Sequence, residues 1–111
     1  VQMMDGSLGA ALKIFMGLEN SAEEADLRCA SSINAGHCLR RLGKFDEAIE
    51  HYNHALSFGY KQEEALASIA FTHQITGKID DAITFYNKCL AIDPFHPFAT
   101  KMLNLALSKC L

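Results

Sequence analysis

At 111 residues and 12.2 kDa, half of them apolar, the chain carries enough hydrophobic sequence for the core of one domain. Its formal net charge of −3 and pI near 5.9 lack the concentrated lysine and arginine of a nucleic-acid binder. Apolar stretches such as Ala65 to Phe71 break off well before the roughly 18 residues that a membrane span needs. Neither nucleic acid nor a membrane is therefore an expected partner.

The opening Val1-Gln2-Met3-Met4-Asp5 has no basic leader and no long apolar core, so no secretory signal is expected; a valine at the start is what a piece of a longer protein would show. Leu8 to Leu18 reads as a helix over 8–19, the second helix of an earlier, truncated repeat. Asn20-Ser21 is a helix stop and N-cap before a second helix over 22–41, which starts on the acidic Glu23-Glu24. Gly43 then suits the positive φ of a chain reversal. A third helix over 45–57 opens on Asp46-Glu47, whose charges favour its positive dipole end. Gly59 closes that helix, and a fourth follows over 63–75.

Gly77 and Asp80-Asp81 then repeat the reversal and the acidic first turn, leading into a fifth helix over 79–92. Asp93-Pro94-Phe95-His96-Pro97 is a short rigid connector: Pro94 cannot continue the helix before it, and Pro97 suits the first turn of a sixth helix over 97–110.

The third and fifth helices are copies. Carrying 43–60 onto 77–94, thirty-four residues on, pairs Gly43/Gly77, Lys44/Lys78, Asp46/Asp80, Ala48/Ala82, Ile49/Ile83, Tyr52/Tyr86, Asn53/Asn87 and Leu56/Leu90, eight identities in eighteen positions. This period, with Ala48-x-x-x-Tyr52, Ala82-x-x-x-Tyr86 and the closing Pro94, resembles the tetratricopeptide repeat. Its first-helix pattern is looser, appearing as Ala35-Gly36-x-x-Leu39 and Ile69-Ala70-x-x-His73, with no tryptophan in the chain. The resemblance implies an all-α right-handed superhelix of antiparallel helix pairs, about six helices in a single domain. Residues 1–21 would end a truncated repeat, 22–62 and 63–96 would be full repeats, and 97–111 a terminal helix.

Small residues at Gly36, Ala70, Ala48 and Ala82 are expected to let the paired helices approach closely, with Tyr52, Tyr86, Ile49 and Ile83 filling the remaining space. In the terminal helix the matching residue is Asn104, bulkier and polar. That helix is expected to cover the end of the array, although Leu105, Leu107 and Leu111 make it less polar than a clean cap.

Chemistry-bearing residues read as structural. Cys29, Cys38, Cys89 and Cys110 are 9, 51 and 21 residues apart, without the two-residue gap of zinc ribbons and redox motifs; they read as intracellular thiols, Cys89 as a small core hydrophobe. His51 and His54 lie on one helix face without a third ligand, so solvated histidines are expected rather than a metal site. His73 reads as a core histidine with a satisfied ring nitrogen. Ser31, Ser32, His37 and Asp46 have no nucleophile elbow around them, and no glycine-rich phosphate loop is present. Arg40, Arg41 and Lys44 form a local cationic helix end. No cofactor, metal or catalytic residue is expected.

What remains is surface. In the tetratricopeptide register the inner wall is lined by Ile33, Asn34, His37, Arg40 and Arg41, then by Ala67, Phe71, Gln74 and Ile75, and by Lys101 of the terminal helix. Apolar residues at the centre and amide or basic groups at the margin suit a protein or peptide partner; the alternative is that Ile33, Ala67 and Phe71 are buried by stacking. The carboxylate clamp of co-chaperones in this family is not matched, because Ile33, His37, Ala67 and Phe71 occupy its inner places.

A further likeness lies in Asn34-x-Gly36-His37-x-x-Arg40-x-Leu42-x-Lys44, Ile69-Ala70-Phe71-x-His73 and Phe98-x-x-x-Met102-Leu103-Asn104-x-Ala106-Leu107. In this order they resemble the last repeats of the cell-division-cycle-sixteen family of anaphase-promoting-complex subunits, over about residues 29–107. That resemblance implies a non-catalytic scaffold in a mitotic ubiquitin ligase, in nucleus and cytoplasm. It would brace other complex subunits and hold a small accessory subunit's N-terminal segment. The alternative is a generic adaptor array or the substrate-recognition arm of a larger enzyme such as a sugar transferase, which the Ile92-Asp93-Pro94 ending equally allows.

Overall fold

The computed structural model describes residues 22–110, all of whose regular structure is helical. Helix α1 is Ala22–Arg41, α2 Phe45–Leu56, α3 Gln62–Ile75, α4 Ile79–Ile92 and α5 Pro97–Cys110. The helix expected over 8–19, and Asn20-Ser21, lie outside the described residues. Two compact units divide the chain between Tyr60 and Lys61.

The first unit is the hairpin α1–α2. It turns where Gly43 adopts φ +81°. The Lys44 amide donates to the Leu39 carbonyl (2.8 Å) and the Gly43 amide to that of Arg40 (3.0 Å), a paired closure that satisfies the last carbonyls of the helix and needs a left-handed residue between. Glycine supplies that conformation without a Cβ penalty. Ala48, Tyr52 and Ala55 of α2 are fully buried, as are Cys29 and Ala35 or nearly so. Beyond α2 the chain is held back onto α1 by the Cys29 thiol, which donates to the carbonyls of Tyr60 (3.2 Å) and Ala55 (3.6 Å).

The second unit repeats this construction and adds a helix. Gly77 takes φ +85°, with the Lys78 amide on His73 O (2.8 Å) and the Gly77 amide on Gln74 O (3.1 Å). Gly-Lys is thus the sequence form of one turn, written twice. Ala82, Tyr86 and Cys89 stand where the first unit has Ala48, Tyr52 and Ala55, and all are buried. Helix α5 packs on α4 and, along a narrower strip, on α3. His96 caps it, Nδ1 accepting from the Ala99 amide (3.1 Å), and Pro97 occupies the first helical position, where no donor is needed.

The close approach expected at Gly36 is present. A Cβ there would lie 2.7 Å from Cδ1 and 2.8 Å from Cζ of Tyr52, inside any tolerable contact, so the ring lies against bare backbone. Burying each tyrosine ring removes enough apolar surface to contribute roughly 3 kcal/mol.

Candidate functional site

The buried tyrosines dictate what the first helix of each pair can offer a partner. In the first unit the Tyr52 hydroxyl and His37 Nδ1 share a hydrogen bond of 2.7 Å, their rings meeting edge to face. Burial pushes the Tyr52 hydroxyl above its usual 10.0, while a hydrogen bond with Arg40 and that residue's charge pull it down. In the second unit the Tyr86 hydroxyl donates to Gln74 Oε1 at 2.7 Å, and burial again raises it well above 10.0. Arg40 and Gln74 are thirty-four residues apart, so one register position serves both hydroxyls. His37, Arg40 and Gln74 are therefore committed to packing through one end of each side chain, a role the sequence alone did not disclose.

The other expected wall residues fall into two groups. Ile33 and Ala67 keep only 2% and 4% of their surface, so a partner would reach almost none of either. Asn34 and Arg41 of α1 are exposed, as are Ile75 of α3 and Lys101 of α5. Phe71 is half-buried, its ring meeting that of Phe98 edge to face at 5.6 Å. Phe98 and Leu105, which the wall as read from sequence omits, are both exposed. The signal for them was the spacing Phe98, Lys101, Leu105, Lys109 along α5.

His73 departs from expectation. Its Nδ1 is buried without a hydrogen-bond partner, and its ring tilts against Phe85 at 5.5 Å between centroids, with Lys88 Nζ 4.6 Å from the centre of the Phe85 ring. The reason lies in the register: the first unit has Leu39 at this place, an apolar seat between helices. Burial lowers the His73 pKa from its usual 6.5, Asp81 opposing and Lys78 adding to the shift.

Cys89 is likewise a packing residue. Burial, with smaller contributions from Glu63 and Asp93, pushes its thiol up to about 11, which suppresses the nucleophilic thiolate. His54 stands edge-on to Phe58 at 5.0 Å, on an exposed part of α2, while His51 is half-buried. No described helix is long and apolar enough to cross a membrane.

Helix hairpins that recur on a thirty-four-residue period, each closed by the same Gly-Lys turn over a buried tyrosine, define a helical-repeat module. A Tetratricopeptide repeat family model matches residues 26–94, and the chain belongs to that family. It is 35% identical over 75 residues to "Anaphase-promoting complex subunit 6" of Dictyostelium discoideum, covering 68% of this chain and 9% of that protein. It is 26% identical over 70 residues to the human "Cell division cycle protein 16 homolog", covering 63% and 11%. It is also 39% identical over 57 residues to "TPR repeat-containing protein MJ1428" of Methanocaldococcus jannaschii, covering 51% and 10%. The chain thus spans about a tenth of the length of these relatives. The repeats support a role in binding other proteins, and the likeness to the subunit 6 and cell-division-cycle-sixteen proteins agrees with that read from the motifs.

Proposed function

We propose that this chain is a stretch of the repeat array of subunit 6 of the anaphase-promoting complex, a non-catalytic scaffold in a ubiquitin ligase of cell division. The observation that carries the reading is the similarity to the slime-mould subunit, 35% over 75 residues. That run is longer than two of the chain's thirty-four-residue periods, so the likeness extends past a single repeat motif. In this role the first helices of the pairs brace neighbouring subunits and hold a segment of a small accessory subunit, in nucleus and cytoplasm. Each unit offers its own contacts: Asn34 and Arg41 on the first, and Phe71, Ile75 and Lys101 on the second, with Ile33 and Ala67 buried, and His37, Arg40 and Gln74 held by the tyrosines.

A second reading, a general adaptor, is favoured by the equally strong local identity to the archaeal repeat protein, whose name carries no ligase. Affinity capture from a mitotic-cell extract with the tagged chain, read by mass spectrometry, separates the two. Recovery of anaphase-promoting-complex subunits, lost in an Arg41→Glu/Ile75→Ser variant that still melts normally, is the expected result. Recovery of an unrelated set would sink the ligase assignment and leave the adaptor.

A further inference from the structure

The second unit has a flank that none of its own helices covers. Along α5, Phe98, Lys101, Leu105 and Lys109 recur at steps of three and four, which aligns them on one side of a helix. Ala99 and Ala106, on the packed side, are fully buried. Both lysines are exposed, and Phe98 and Leu105 keep 42% and 47% of their surface. The apolar part continues onto α3 through the Phe71–Phe98 ring contact, and Ile75, one turn beyond Phe71, is 46% exposed.

Charge on this flank has one sign where it meets α5. The helix carries Lys101 and Lys109 and no aspartate or glutamate; the acid on the corresponding flank of α3, Glu64, lies seven residues before Phe71, away from Ile75. Each lysine sits one turn from Leu105, so an apolar anchor seated at Leu105 is flanked by an ammonium on either side.

We propose that this flank docks an acidic amphipathic segment of a partner protein, a helix whose leucine-like anchors meet Phe98, Leu105 and Ile75 and whose carboxylates meet Lys101 and Lys109. Opposite charge at the rim of an apolar contact selects the partner and speeds its arrival. A second copy of the same flank would set lysine against lysine, and two cations are too few to hold a nucleic-acid backbone, where affinity grows with the number of phosphates neutralised. The inference deepens the interaction role of the repeats and does not depend on which complex they serve.

The test is fluorescence anisotropy of the purified chain with three labelled synthetic helices that share one leucine stripe and carry glutamate, glutamine or lysine beside it. The glutamate peptide should bind about tenfold more tightly than the glutamine peptide, and the lysine peptide most weakly. That advantage should shrink as salt rises from about 0.05 to about 0.5 M, where screening shortens the reach of exposed charges. Lys101→Glu/Lys109→Glu should reverse the order without moving the circular-dichroism melt, and Leu105→Ser should weaken all three peptides.

Equal binding of the three peptides, or an order unmoved by the charge reversal, would overturn the proposal. So would self-association abolished by Leu105→Ser, or binding to phosphatidylserine vesicles without binding to any peptide. If the peptides behave as expected while capture from extract recovers no ligase subunit, the complex assignment fails and this inference stands; the opposite pair of results reverses that conclusion.

Discussion

The two hairpins place the same residue in the same hole and satisfy it differently. Tyr52 and Tyr86 are both fully buried, thirty-four residues apart, yet one hydroxyl meets His37 and Arg40 and the other Gln74. Beneath the rings the first helix has Gly36 in one copy and Ala70 in the other, both buried. A buried hydroxyl needs a partner and accepts almost any polar group within reach. Space against the backbone is stricter, because a methyl group has no alternative place to go. The polar partner is therefore free to vary between repeats, and the surface it shares varies with it.

The largest effect should come from filling the space at Gly36. Gly36→Ala sets a Cβ against the Tyr52 ring and should cost about 2 kcal/mol, within the usual range for overpacking. The reverse change in the other copy, Ala70→Gly, should cost only about 1 kcal/mol from helix propensity. Urea unfolding of both variants measures the difference, and equal losses would mean that the two copies are packed alike.

A smaller effect tests the hydroxyls. Tyr86→Phe leaves Gln74 Oε1 without its donor and should lose about 1 kcal/mol, whereas Tyr86→Phe on a Gln74→Leu background should lose little more. Tyr52→Phe should resist such rescue by a single second change, because two side chains share that hydroxyl. A double-mutant cycle in each copy reads the coupling, and an absent coupling at Tyr86 would show that the 2.7 Å contact contributes nothing net.

The smallest effect concerns pH. Because the folded state lowers the His73 pKa below 6.5, the unfolded chain binds more protons once the pH falls below that value. Stability present above about 6.5 is therefore lost on acidification. His73→Leu, which copies Leu39 of the first repeat, should flatten this part of the stability–pH curve relative to the wild type. Matching slopes in the two proteins would show that His73 is not the group responsible.

Much of this architecture was legible in the residues. Gly43 and Gly77, the acidic pairs after them, and Pro94 with Pro97 mark local backbone events, and the helices expected over 45–57 and 63–75 are found at Phe45–Leu56 and Gln62–Ile75. The wall was less legible. Ile33, Ala67 and Ile75 are all expected on the inner wall from the sequence, yet the first two are buried and the third is not. Helical periodicity gives the direction of a side chain but not what leans over it. His73 misled for the same reason: its buried nitrogen lacks a partner because the seat was shaped for an apolar residue.

The sequence by itself determined the repeat, its turns and the pairing of helices, because these rest on φ preferences, missing donors and a thirty-four-residue recurrence carried by neighbouring residues. Only tertiary structure decided which of the expected wall residues are exposed, which polar groups the tyrosines consume, and that Phe98 and Leu105 extend an apolar flank bordered by lysines. Exposure and hydrogen-bond partnership are set by side chains that arrive from other helices, and no single stretch of chain encodes them.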